Sequence, residues 1–273
     1  MKKSKKQGTS NDSSNGNNGV AFFAYNNEQI DYIRLAVLAA SAVKKHMKNN
    51  QTCLITNEAS LDWGKESLTT KVLNKAFDHI VIEEPEHRPN VRKFHDSPWT
   101  TFKCQFENWN KNNVIKLTPF NKTLMLDVDF LVNNDVLDIA FGLDEPLMLY
   151  TDAITLRNLK PHFTSERKLH KKGIPMLWST AIYFDKNDEV VDLFFEMWSH
   201  VKDNWDFYRY LYGFSTKIYR TDFAVSIATH MLNGFVENTL VKPLPDNPLK
   251  YVEPKDDVPD VLSTGSIRCL SHK

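Results

Sequence analysis

The chain has 273 residues, 41% of them hydrophobic and 25% charged, with Lys plus Arg and Asp plus Glu both at 34. Such a composition is ordinary for a folded protein of one large or two small domains, and the balanced charge selects no nucleic-acid, membrane or acidic partner. No apolar run approaches the length of a membrane span, and the three cysteines (Cys53, Cys104, Cys269) lack metal-ligand spacing. An odd thiol count without a secretory leader predicts reduced cysteines in a cytoplasm, with Cys53 a small core residue.

Residues 1–19 hold no large apolar side chain after Met1 and carry four lysines against one aspartate, +3. Burial there cannot offset the entropy of ordering, which predicts a disordered basic tail ahead of one folded domain over 20–273. Residues 20–25 are a buried strand, and Asn26-Asn27 a turn and helix cap. Ile30, Ile33, Val37, Ala40 and Met47 then recur at helical spacing through Asn49. Glu28 and Asp31 fall at the start of that helix and Lys44, Lys45 and Lys48 at its end, as the helix dipole prefers. A strand over 53–56, a helix over 68–77 and a strand over 80–82 continue a β-α-β-α-β alternation. That order predicts an α/β fold with a mostly parallel central sheet flanked by helices.

Residues 83–100 read as a polar surface loop over the active face; His87, His95 and Asp96 within it are either metal-binding or catalytic groups or, more plainly, part of that loop. Phe102, Phe106 and Trp109 predict an amphipathic helix over 102–112. Next comes Leu124-Met-Leu126, a strand buried on both faces, ending in Asp127 and Asp129. At i, i+2 on an extended chain the two carboxylates project to one side. They would open into the crevice at the carboxyl ends of the strands. Two such acids repel each other and call for a cation; all-oxygen ligation suits Mg²⁺ or Mn²⁺, with a diphosphate completing the shell. The plain alternative is a pair of turn acids.

A helical turn over 136–141 and a strand over 146–150, closed by Asp152, come next. The basic stretch 157–172 is either a solvated loop or one that folds over a diphosphate. A strand over 175–184 and a helix beginning at Asp188 follow, with Val191, Phe194, Phe195 and Trp198 inward and the aromatic segment 205–212 beneath it. Asp222 sits just before a helix over 223–232, and five prolines between 243 and 259 exclude regular helix there. His230 shares a helical face with Ser226 and Asp222, though a packed or exposed His is the plainer reading.

The order of these pieces, over roughly residues 20–235, resembles a nucleotide-sugar glycosyltransferase of the GT-A fold with a glycogenin-like layout. Tyr25-Asn26-Asn27 matches the family's first loop, which holds the nucleotide base. Phe120 stands seven positions before Asp127 and Lys111 nine before Phe120, as do the family's aromatic and donor-contacting basic residue. Residues 178–184 are similar to the acceptor-side strand, Thr221-Asp222 to the start of the helix facing the sugar, and His272-Lys273 to a late motif whose His ligates metal and whose Lys meets phosphate. Trp178, Thr180 and Phe223 depart from the family's Asn, Gly and Gln. A Pro-aromatic before the acid pair and Arg220-x-Asp-aromatic-Ala-x-Ser also resemble short phage-encoded glycosyltransferases.

The resemblance implies a nucleotide-binding half at about 20–132 and an acceptor half at about 133–273. It implies transfer from a UDP-sugar, with Mn²⁺ or Mg²⁺ held by Asp127, Asp129 and His272. Tyr25, Asn26, Asn27, Lys111, Asp127 and Lys273 would bind the nucleotide. Asp222 and Asp152 are the candidate catalytic acids, each with a plain alternative as helix cap or turn acid. The acceptor is a hydroxyl of a saccharide, a protein or a hydroxymethylated base in phage DNA, with host cytoplasm as the location if the chain is phage-encoded. Rival readings are a haloacid-dehalogenase-like phosphatase using the Asp-x-Asp pair, and a binding module without turnover.

Overall fold

The computed structural model describes residues 17–28, 30–48, 50–84, 86, 91–97, 100–105, 109–155, 174–214, 217–236, 240–252 and 268–270. The amino half follows the expected alternation: β1 (Asn18–Phe23), α1 (Tyr32–His46), β2 (Gln51–Thr56), α2 (Glu58–Ser67), α3 (Thr70–Ala76) and β3 (His79–Ile82). The helix α2 was not legible beforehand. A hairpin follows, β4 (Val91–Ser97) with β5 (Thr100–Gln105). Then come a 3-10 turn (Lys111–Asn113), α4 (Val114–Leu117), β6 (Lys122–Leu126), β7 (Phe130–Leu131) and a second 3-10 turn (Val136–Gly142). The carboxyl half holds β8 (Leu147–Tyr150), β9 (Ala153–Thr155), β10 (Trp178–Asp185), α5 (Glu189–Asp203), α6 (Trp205–Leu211), α7 (Thr221–Leu232), β11 (Lys242–Pro243), β12 (Leu249–Val252) and β13 (Arg268–Leu270).

Seven strands form the central sheet in the order β11-β8-β10-β6-β1-β2-β3. Only β10 is reversed, antiparallel to both β6 and β8, so the sheet is mostly parallel as expected. β6 lies between β1 and β10, and Leu124, Met125 and Leu126 are each at most 1% exposed. Burying each such side chain stabilises the fold by about 1.5–3 kcal/mol, which fixes the strand end that carries the acids. α1 packs on β1, β2 and α3, while α7 packs on β10 and α5. A second sheet, β7-β13-β12-β9, begins directly after the acid pair.

Three expectations are corrected. Residues 100–105 are a strand, not part of a helix: the helical spacing of Phe102, Phe106 and Trp109 loses to pairing of a Thr-Thr-Phe run with β4. The same pairing puts strand where 83–100 read as loop, and brings His95 and Asp96 into β4. Order also begins before residue 20. Asn18 and Gly19 pair with Lys122 and Thr123, and Asn17 exchanges bonds with Pro119 and Asn121. Backbone ladders need no apolar side chain, so the composition of the tail missed this. Gly19 has a packing reason as well: a Cβ there would lie 2.3–2.5 Å from the Phe120 ring. Residues 1–16, His87, the basic stretch 157–172, His272 and Lys273 lie outside the described residues.

Candidate active site

The acid pair stands at the carboxyl end of β6, but not on extended chain. Phe130 N–H donates to Asp127 O at 3.0 Å, closing a β-turn with Val128 and Asp129 at its centre. The i, i+2 alternation therefore does not apply; the turn itself sets where the carboxylates stand. Asp127 N–H donates to Thr180 O on β10 at 2.8 Å, fixing the turn to the reversed strand. Both acids are half-buried. Lys111 Nζ is hydrogen-bonded and ion-paired to Asp127 Oδ1, the two side chains being 15% and 27% exposed.

The Lys111 turn is pinned from three sides. Asn113 Nδ2 donates to Glu83 Oε1 at 2.6 Å, and the Tyr25 hydroxyl donates to Glu83 Oε2 at 3.1 Å. Glu83, directly after β3, thus ties the end of β1 to the 3-10 turn. Asn112 Nδ2 reaches Ser199 Oγ on α5 at 2.8 Å. Trp109 packs on Tyr219, ring centroids 4.6 Å apart, joining the Lys111 segment to the chain entering α7. Glu83 was read only as part of a polar loop; its place immediately after the third strand was the one available signal.

Asn26 and Asn27 organise the loop that follows β1. Asn26 Oδ1 accepts from Ile33 N at 3.0 Å, its Nδ2 donates to Asp31 at 3.2 Å, and Asn27 Oδ1 accepts from Ile30 N at 2.9 Å. Asp31 rather than an Asn is the N-cap of α1, accepting from Arg34 N.

α7 begins at Thr221, two residues earlier than expected, with Arg220 at the N-cap. Asp222 is therefore in the first turn and not a cap. Its Oδ1 accepts from Ser179 N at 2.9 Å and Ser179 Oγ at 2.7 Å, while Oδ2 lies 3.7 Å from the Arg220 guanidinium, which sits over Phe223. One turn on, Ser226 Oγ accepts from Leu177 N at 2.8 Å. These bonds stitch α7 to the start of β10. Since Ser179 precedes Thr180, which holds Asp127, the Asp222 carboxylate and the acid pair are brought to one region.

Asp152 is exposed between β8 and β9, and its Oδ1 accepts from Ala153 N at 2.8 Å, the geometry of a turn acid. His230 Nδ1 shares a 2.8 Å hydrogen bond with the Tyr212 hydroxyl. Around the Trp109–Tyr219 contact, three buried acceptor atoms (Asn110 Oδ1, Asn112 Oδ1, Thr221 Oγ1) have no hydrogen-bond partner among the described residues. No group of three or more His, Cys, Asp or Glu side chains among the described residues is placed to hold a metal ion. No helix among them is long and apolar enough to cross a membrane.

A pair of carboxylates with an ammonium already drawn to one of them is chemistry that takes a cation. Mg²⁺-type ions are commonly held by one or two carboxylates plus substrate phosphates, so two protein acids suffice to fit one.

No family model and no curated protein sequence matches the chain. Among solved structures it is similar to the glycosyltransferase GlyE of Streptococcus pneumoniae TIGR4, at 14% identity over 84% of this chain and 46% of that one, TM-score 0.44. It is also similar to mouse xyloside xylosyltransferase 1, at 11% identity over 93% and 94%, TM-score 0.49. A third is the galactosyltransferase LgtC in complex with donor and acceptor sugar analogs, at 14% over 82% and 72%, TM-score 0.45. The chain spans about half the length of GlyE. All three are glycosyltransferases by name, and at these scores none of their chemistry is taken over to this chain.

Proposed function

We propose that the chain is a metal-dependent glycosyltransferase that moves a sugar from a UDP-sugar to an acceptor hydroxyl. The observation that carries this is the acid pair at the mouth of β6, with Lys111 paired to Asp127 and Asp222 latched to Ser179, the residue before the Thr180 that holds Asp127.

Sugar transfer builds negative charge on the departing β-phosphate. A bound Mn²⁺ or Mg²⁺ would neutralise that charge at Asp127 and Asp129. Lys111 brings a second positive charge to the same place. Tyr25, buried just beyond β1 and bonded to Glu83, would back a nucleotide bound at the carboxyl ends of the parallel strands, where such sheets bind ligands. Asp222 turns Oδ1 to Ser179, and its Oδ2, ion-paired with Arg220 at 3.7 Å, would accept from a sugar or acceptor hydroxyl. Asp152, exposed and holding the adjacent N–H with its Oδ1, is the weaker candidate for a base. In the resemblance His272 is the third metal ligand and Lys273 a phosphate contact.

The test is hydrolysis of a panel of nucleotide sugars with Mn²⁺ and with EDTA, followed by transfer to saccharide, protein and hydroxymethylated-DNA acceptors. Mn²⁺-dependent release of sugar from one donor supports the transferase. Nucleotide binding without any release leaves a binding module, and phosphate release from sugar phosphates instead would establish the phosphatase.

A further inference from the structure

We propose that Lys111 is the resident counter-ion of the acid pair and exchanges from Asp127 to the incoming diphosphate, so that metal and nucleotide promote each other's binding. This rests on the reading that the pair holds a divalent ion.

The Lys111 ammonium occupies the carboxylate that the metal would use, and both side chains are largely withdrawn from solvent. An ammonium and a divalent ion on one half-buried carboxylate repel strongly, because the surroundings screen them less than water does. Metal entering alone must displace the Lys111 ammonium from the Asp127 carboxylate. A diphosphate removes that obstacle by offering the ammonium new oxygens. The parts permit such a move. The backbone of the Lys111 turn is held by Asn113 on Glu83 and Asn112 on Ser199, whereas the four-carbon lysine stem is flexible. Linkage then makes the effect reciprocal: whatever factor UDP adds to metal affinity, metal adds to UDP affinity.

The experiment titrates Mn²⁺ calorimetrically into wild type, Lys111→Met and Lys111→Arg, each alone and with saturating UDP. Lys111→Met should bind Mn²⁺ alone more tightly than wild type by about fivefold or more, Lys111→Arg should stay with wild type, and the gain from UDP should shrink in the Met variant. A residue that merely held the turn in shape would weaken metal binding when removed, never tighten it. Circular dichroism checks the fold, and Lys111→Gln replaces the Met variant should that one unfold. Unchanged or weaker Mn²⁺ binding by the folded variant overturns the exchange and leaves the metal reading standing. Failure of wild type to bind Mn²⁺ even with UDP overturns the metal reading itself.

Discussion

Ser179 gives both its backbone N–H and its hydroxyl to one oxygen of Asp222, at 2.9 and 2.7 Å. Ser179 is buried, so removing the carboxylate orphans two donors at once. Asp222→Ala should therefore cost about 1–3 kcal/mol of stability by urea unfolding. A double-mutant cycle with Ser179→Ala should show a coupling of about 0.5–3 kcal/mol. Strictly additive effects would mean that the hydroxyl bond of the latch contributes nothing.

Glu83 holds Tyr25 and Asn113 with its two oxygens. Glu83→Ala should raise KM for the nucleotide sugar about fivefold, the worth of one hydrogen bond of about 1 kcal/mol, with kcat little changed. Steady-state kinetics reads the split. A fall in kcat at constant KM would place Glu83 at the reacting atoms instead.

Gly19 faces the Phe120 ring, which is fully buried and also meets His79 edge-on with centroids 5.5 Å apart. Gly19→Ala should destabilise the protein by about 1–3 kcal/mol through overpacking. Thermal unfolding that matches wild type would show that Phe120 has room to turn aside.

Burial raises the Asp78 carboxyl, but the Lys44 ammonium and the Thr52 N–H and hydroxyl outweigh it and hold the pKa below the ordinary 3.8. The folded state thus binds this proton less readily than the unfolded state. Its stabilisation is complete above the ordinary value and is lost as pH falls through the lower folded one. The group is over a third exposed, so the contribution is small. Acid unfolding of Asp78→Asn should depend less steeply on pH below about 4 than wild type. Identical slopes would remove Asp78 from the acid response.

How much of this was legible follows from what each feature depends on. Leu124-Met-Leu126 advertised a doubly buried strand because every side chain in it is apolar, and Asp127 and Asp129 followed from its end. The turn that carries them was not legible, since Asp-x-Asp suits an extended chain as well as a β-turn. The reversal of β10 was hidden too: a uniformly apolar run marks burial but not direction. β5 was missed because its partner β4 supplies the deciding bonds from outside any local window. Asp222 stood out by its place at the start of a helix, but its tie to Ser179 spans 43 residues and leaves no local trace. Lys111 came into view through resemblance, while Glu83, one acid in a polar stretch, had only its place after the third strand to mark it.

Asp129→Ala removes a charge beside Asp127 and no core packing, so stability should change by less than about 1 kcal/mol while activity disappears. The direct test is UDP binding by calorimetry, with Mn²⁺ and with EDTA, for wild type and this variant. Wild type should bind UDP tightly only with Mn²⁺, and Asp129→Ala should lose that dependence. UDP binding by wild type that is equally tight in EDTA, or untouched by the substitution, would contradict a metal at the mouth of β6.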